Sequence, residues 1–456
     1  MTLRARPLAA PVAVVGGCLL VSLALLGVTA TLAYDPWAWL VWGREVGHLS
    51  LDTTGGPSWK PLPVVVASAV APFGTAAPAV WLVLARTLGL LSVVAVFRLA
   101  ERLAGRVAGV VAALLLFLTP DAGPRYVRLV LEGHSAPVTA GLAAWAAERH
   151  LAGRPVTAFL VLTVLGLDRP EAWPFLAVYG LWLARSSPGC WRLVATCGAV
   201  TSLLWFGGDW WGSGSPLHGA GAAQVVVDEP DRLGDALTRA RKVVVLPVWV
   251  AAAVALLDGW RRRALELPGL IVAAAAWVAL VIAMAGVLGY AALARFLLPA
   301  AALLCACAAA VVVLGLRRLP DRRVQVAAAI GLVLLCVPSV ADRAGNVGTQ
   351  LDEVASRGRA DRELAELIDD VGGPTAMRSC GGLSIDTRDV PRPALAWRAG
   401  VALGDVVTTP ATPTGLMVVR TGGRAERRIL AAVSDLAPVG QAGRWSAYAP
   451  GCRPRG

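Results

Sequence analysis

The chain has 456 residues, 57% of them hydrophobic and only 16% charged, with a mean hydropathy of +0.64. Soluble domains carry about 25% charged residues, so a wholly soluble protein is excluded. The net charge of +12 does not point to nucleic acid either. Nearly all the basic residues are arginines in short loops between apolar runs, lysine occurs only at Lys60 and Lys242, and no basic stripe with interleaved aromatics is present.

The N-terminus carries Arg4 and Arg6, then an apolar run from Leu8 to Ala33. That run is too long for a signal-peptide core and long enough to cross a bilayer, so it is expected as a retained first helix. Further spans are expected near Pro78–Ala100, Val107–Pro120, Pro137–Glu148, Val156–Leu167, Ala172–Ala184, Leu193–Phe206, Val243–Leu257, Pro268–Leu288, Phe296–Leu316 and Val324–Val340. The fold class is therefore α: a polytopic transmembrane bundle of about eleven spans over residues 1–340. The rest, 341–456, reads as a small α/β domain, with a polar helix from Thr349 to Val371 and a strand from Thr414 to Arg420.

Alternate loops sort by charge. Arg4 and Arg6, Arg98 to Arg106, Arg149 and Arg154, Arg185 and Arg192, Arg261 to Arg263, and Arg317 to Arg323 fall in one set, which the positive-inside rule places in the cytoplasm. The N-terminus is then cytoplasmic, and with an odd span count the C-terminal domain is extracytoplasmic. The eight cysteines show no metal-binding spacing. Only Cys380 and Cys452 lie in the outer domain, where a disulfide between them would persist.

The outer segments carry the chemistry. The first, from Tyr34 to about Ala77, opens with Tyr34-Asp35-Pro36-Trp37 and continues through Gly56-Pro57-Ser58-Trp59-Lys60-Pro61-Leu62-Pro63. Asp35 stands where the first helix leaves the membrane. A partly desolvated carboxylate there suits a general base, and Asp before Pro is equally a common helix N-cap. Lys60 precedes an apolar segment, Leu62 to Phe73, and reads either as a point charge for a lipid phosphate or as a snorkelling anchor. Arg86 lies inside the second span. The second outer loop, Asp121 to Ala136, holds Arg125, Tyr126, Arg128 and Glu132. Asp168, Arg169 and Glu171 crowd one turn, either an internally paired turn or the inner wall of a cavity. The fourth outer segment runs from Gly207 to Lys242. Trp37, Trp39, Trp42, Trp59, Trp210 and Trp211 read as an interfacial belt, and His134 and His218 as polar loop residues.

The order of these pieces resembles the GT-C membrane glycosyltransferases, above all the branch holding the protein O-mannosyltransferases and the aminoarabinose transferases of lipid A. An acid follows the first helix (Asp35), a Lys-Pro segment comes next (Lys60-Pro61-Leu62-Pro63), and a second acid precedes the fourth span (Glu132). The likeness covers roughly Leu8 to Ala184, with an echo at Tyr290 to Pro299. It departs from the family in having Pro36 after Asp35 where a second acid is common, Leu62 within the usual Pro-Pro-Leu, and Glu132 where Asp is commoner. The resemblance implies a sugar donor on a polyprenyl phosphate and an acceptor hydroxyl on a cell-envelope glycan, lipid or protein. The hydroxyl attacks the anomeric carbon with inversion. By residue matching, Asp35 is the general base and Glu132 orients acceptor or sugar. Lys60, with Arg86 or Arg295, holds the phosphate. No cofactor is called for, and a divalent cation stays open. The competing classes are a transporter or lipid flippase, which needs polar groups at mid-bilayer and paired halves, and a non-catalytic envelope assembly protein.

Overall fold

The structure is a computed structural model that describes residues 9–28, 30–118, 126–225, 231–262, 265–345, 347–387, 389–408, 415–433 and 436–454. Arg4, Arg6, Arg125 and Arg263 lie outside the described residues.

The chain enters through α1 (Ala9–Ala24), then α2 (Tyr34–Gly47), α3 (Pro61–Val70) and the long α4 (Ala77–Ala104). A tight pair of turns then leads through α5 (Arg106–Leu118), α6 (Tyr126–Leu131), α7 (Ala136–Leu151), α8 (Pro155–Gly166) and α9 (Trp173–Ser186). Next come α10 (Trp191–Ser202) and three short helices, α11 (Gly208–Ser213), α12 (His218–Val225) and α13 (Arg232–Lys242). The bundle closes with α14 (Leu246–Arg262), α15 (Glu266–Leu288), α16 (Leu298–Leu316) and α17 (Arg322–Gly345). Each of the eleven segments expected as spans overlaps one of these helices. Among the described residues five stretches are long and apolar enough to cross a membrane, or six if the pair α13 and α14, bent by 80°, counts as one.

Helix α16 is the axis of the bundle. It is almost wholly buried and packs against α4, α5, α7, α14 and α15. Its faces are small: Ala300 to Ala302, Ala306 and Ala308 to Ala310, with Cys305 and Cys307, all nearly inaccessible. Small residues let helix backbones approach closely, and that close packing is what associates helices where lipid removes the hydrophobic drive.

Two outer segments read as loops are largely helical. Residues 34–77 fold into α2 and α3, and 207–242 contain α11, α12 and α13. The prolines of the Lys60-Pro61-Leu62-Pro63 segment do not break α3. They sit in its first turn, where a missing N–H has no intrahelical partner to lose. Helices α2 and α3 touch backbone to backbone: a Cβ on Gly43 would lie 2.5 Å from the Ala67 carbonyl carbon. The first helix is shorter than the apolar run that encodes it. It ends at Ala24, and the extended Ala33 donates its N–H to the Glu132 carbonyl at 3.0 Å.

The C-terminal part is a small α/β unit, as expected. Helix α18 (Val347–Val371) leads into α19 (Gly373–Arg378), β1 (Leu383–Ile385), α20 (Pro391–Ala399), β2 (Val406–Thr408), β3 (Leu416–Arg420), α21 (Arg424–Ala432), β4 (Gly440–Ala442) and β5 (Trp445–Tyr448). The sheet order is β2-β1-β3-β5-β4, parallel around β1 and antiparallel around β5. Cys380 and Cys452 form the expected disulfide, with Cα atoms 5.8 Å apart. One apolar core runs from α2 into this unit, joining Trp37, Trp39 and Trp42 to Leu395, Val418 and Trp445. Those three N-terminal tryptophans are at most 1% exposed. They are core, not an interfacial belt. Trp59 is buried too, while Trp210 and Trp211 are exposed.

Candidate active site

A cavity of about 1760 Å³ opens between one end of the bundle and the α/β unit. Asp35, Lys60, Glu132, His134, Tyr290 and Arg295 line its bundle side, and Arg357, Arg392, Arg420 and Arg444 its soluble side.

Asp35 is not a helix cap. Ala33 holds the N-cap position of α2, and Asp35 falls in the first turn, where the helix dipole favours a negative charge. Its Oδ2 accepts from Arg295 Nη2 at 3.1 Å, across 260 residues of sequence. Burial pushes this carboxyl up, but Arg295 first, then Lys60, His134 and Arg169, outweigh it and hold Asp35 below the usual carboxylate range.

Lys60 is the N-cap residue of α3 and only 7% exposed. The Leu62 N–H donates to the Leu167 carbonyl at 3.0 Å, which ties this corner to the Asp168 turn. The ammonium lies 5.4 Å from the Trp39 ring centre and 6.0 Å from that of Phe296. Among the described residues it makes no hydrogen bond or ion pair. Burial, helped by the charge of Arg169, brings its pKa down to about 8.

Glu132 is fully buried and held from several sides. Arg128 Nε donates to it at 3.1 Å, Arg357 Nη1 reaches both oxygens at 3.0 and 3.1 Å, and His134 Nε2 is 3.6 Å away. Arg128 also pairs with Glu353. Burial works to raise the Glu132 pKa, and His134, Arg357 and Arg128 overturn that, leaving it lowered. His134 lies in a loop, as expected, but it is buried and lines the cavity.

The charged turn is neither exposed nor on the cavity wall. Asp168, Arg169 and Glu171 are at most 1% exposed and sit behind the wall. Ser135 Oγ donates to Asp168 Oδ1 at 3.1 Å, the Arg169 guanidinium lies 4.3 Å from the Phe296 ring centre, and Tyr290 Oη donates to Glu171 Oε1 at 2.8 Å. The turn props up the segment Tyr290–Phe296 that presents Arg295. Arg86 is elsewhere. It is fully buried in α4 and donates to the Leu131 carbonyl from Nη2 at 2.7 Å and from Nε at 3.1 Å. It fixes the backbone next to Glu132 and does not line the cavity.

Four features were not read from the sequence: Arg357, Tyr290 as a site residue, the buried Asp209, and the cavity-facing arginines of the α/β unit. Arg357 lies in a polar helix whose composition resembles any solvated helix. Asp209 accepts from the Gly219 N–H at 2.7 Å beside the cavity.

No protein-family model matches the chain, and no curated protein sequence matches it. Solved structures do. The ArnT of Cupriavidus metallidurans bound to undecaprenyl phosphate aligns with a TM-score of 0.52 at 16% identity, over 97% of this chain and 98% of that one. Its apo state gives 0.56 at 16% identity, over 96% and 97%. The oligosaccharyltransferase of Archaeoglobus fulgidus, in complex with Zn and sulfate, gives 0.52 at 13% identity, over 96% of this chain and 73% of that one. The chain has the GT-C fold. Within that GT-C fold, Asp35, Glu132, Lys60 and Arg295 share one cavity, and Asp168, Arg169 and Glu171 lie behind it. No group of three or more His, Cys, Asp or Glu is placed to hold a metal among the described residues. The cavity-lining acids Asp35 and Glu132 are each engaged by arginine, and such a donor set does not fit a divalent cation.

Proposed function

We propose that the chain is a multi-pass membrane glycosyltransferase of about eleven spans. It moves a sugar from a polyprenyl-phosphate donor to an acceptor hydroxyl on the extracytoplasmic side, in a cell-envelope glycan, lipid or protein. Residues 1–340 form the catalytic membrane domain, and 341–456 an extracytoplasmic domain that closes the cavity. The observation that carries this reading is Lys60: a buried ammonium facing a large cavity, beside aromatic rings and near Asp35 and Asp168, yet in no hydrogen bond or ion pair among the described residues.

The lipid phosphate binds Lys60 and Arg295. A charge-assisted contact to phosphate is strong, and here it displaces no hydrogen bond or ion pair of Lys60 among the described residues. The acceptor hydroxyl then attacks the anomeric carbon from the face opposite the phosphate. The new C–O bond forms as the bond to the phosphate oxygen breaks, the electron pair leaves with polyprenyl phosphate, and the hydroxyl proton passes to Asp35. The product is inverted. Asp35 is ionised and is drawn off by Arg295 in the resting site. Moving Arg295 towards a bound phosphate leaves the carboxylate freer to accept a proton. Glu132 is a positioning residue, since Arg128 and Arg357 occupy it. Binding of polyprenyl phosphate to purified protein, compared with Lys60→Ala, tests the reading. Equal binding by the two would remove Lys60 from the phosphate site.

A further inference from the structure

Beside the cavity, the α/β unit carries a shallow groove of about 390 Å³ between β2, β3 and the start of α21. Three arginines line it: Arg420 at the end of β3, and Arg424 and Arg428 on α21. All three are exposed. Among the described residues none of their guanidinium groups makes a hydrogen bond or ion pair. The acid in the groove, Asp386, accepts at Oδ2 from the Arg420 backbone N–H at 2.9 Å and offsets part of the Arg420 charge, which leaves the groove net positive. Other arginines of the unit are used. Arg398 pairs with Asp361, Arg444 with Glu363, and Arg392 donates to the carbonyls of Val406, Leu403 and Gly55.

Arg424 and Arg428 stand four apart on one helix, a spacing at which like charges repel and destabilise. Arg420 adds a third positive charge to the same depression. Three arginines against one acid leave a net positive depression, which fits an anionic ligand. The groove also continues into the large cavity, because Arg420 lines both. On the cavity side the rings of Trp59, Trp173, Trp205 and Trp445 form part of the wall, and flat aromatic faces suit sugar rings better than peptide.

Building on the transferase reading, we infer that this groove docks the acceptor, and that the acceptor is an anionic glycan carrying phosphate or carboxylate groups. Its charged units lie on Arg420, Arg424 and Arg428 while a neighbouring hydroxyl enters the cavity toward Asp35.

The test uses full-length protein in nanodiscs of zwitterionic lipid. Fluorescently labelled poly(glycerol phosphate), polygalacturonate and neutral dextran are titrated in parallel, with no sugar donor present. The expected result is salt-sensitive binding of at least one of the two anionic chains and none of dextran. Changing Arg420, Arg424 and Arg428 together to Ala should weaken it roughly tenfold or more, with the unfolding midpoint unchanged. A control changing the exposed Arg359 and Arg453 to Ala should bind like wild type. Equal binding by the triple variant, or dextran binding as well as the charged chains, overturns the inference. So does loss of affinity only for vesicles containing phosphatidylglycerol, which would make the cluster a membrane contact. Polyprenyl phosphate binding measured on the same samples separates the two readings. If it persists while glycan binding fails, only the groove assignment falls. If it fails while glycan binding persists, the donor site falls.

Discussion

Asp35 Oδ2 and Arg295 Nη2 lie 3.1 Å apart at the mouth of a cavity, joining the second helix to a segment 260 residues further on. Asp35 caps no backbone N–H, and among the described residues its side chain has Arg295 as its one hydrogen-bond partner. Asp35→Asn keeps the shape of the side chain. Polyprenyl phosphate binding should stay within a few-fold of wild type, while transfer falls by roughly two to four orders of magnitude, the usual scale of general-base catalysis. Measuring binding and turnover on the same preparation checks this, and normal transfer by the variant would leave Asp35 outside the mechanism.

Lys60 gives a pH dependence whose sign is fixed. Burial lowers its pKa to about 8, so the charged form that holds phosphate is present below that value and is lost as pH rises through it. Affinity for polyprenyl phosphate should therefore decline above about pH 8 in the wild type. Arginine stays protonated throughout this range. A Lys60→Arg variant that still binds should show no such decline, and a parallel decline in both would assign the titration to another group.

The pairing of Glu132 with Arg357 ties the bundle to the α/β unit. Arg357→Ala removes one of two arginine partners from a fully buried carboxylate. It should destabilise the protein by about 1.5–3 kcal/mol, the range for a hydrogen bond to a charged group. Glu132→Gln combined with Arg357→Ala should cost less than the sum of the single changes, because the two groups are in contact. Thermal unfolding of the four proteins in one detergent measures the coupling. Strict additivity would mean the pair contributes nothing.

Much of the architecture was legible because membrane helices are written in local composition. The eleven apolar segments each overlap a helix, and the polar tail folds as a helix followed by a mixed sheet. The disulfide was legible because only Cys380 and Cys452 lie in the polar part. What local pattern does not encode is which faces meet. Tryptophans at the start of α2 look like a membrane belt until α20 and the sheet are seen to cover them. Arg86 looks like a phosphate ligand until its guanidinium is found on the Leu131 carbonyl. Arg357 belongs to a helix of ordinary polar composition, and only packing brings it to Glu132. The 168–171 turn reads as an internally paired turn or a cavity wall; Arg169 lies in the field of Asp168 and Glu171, and the three side chains also engage Ser135, Phe296 and Tyr290.

Topology is open to a simple check. The alternation of arginine-rich loops places the N-terminus in the cytoplasm and the C-terminal domain outside. Reporter fusions after residue 340 should be active only with an extracytoplasmic reporter, and the Cys380–Cys452 bond should block thiol labelling until reductant is added. Activity of a cytoplasmic reporter alone would reverse the arrangement and move the cavity to the wrong side for the proposed reaction.

The central claim is chemical: the protein cleaves the bond between sugar and lipid phosphate and does not merely carry the lipid across. Purified wild type and Asp35→Asn, each reconstituted in proteoliposomes with radiolabelled polyprenyl-phosphate sugars and an envelope glycan fraction from the producing cells, measure this directly. The account expects the wild type to move label from the lipid phase into the glycan fraction, with inverted linkage and release of polyprenyl phosphate, and Asp35→Asn to leave it on the lipid. Label that stays lipid-linked with both proteins while changing leaflet would contradict it.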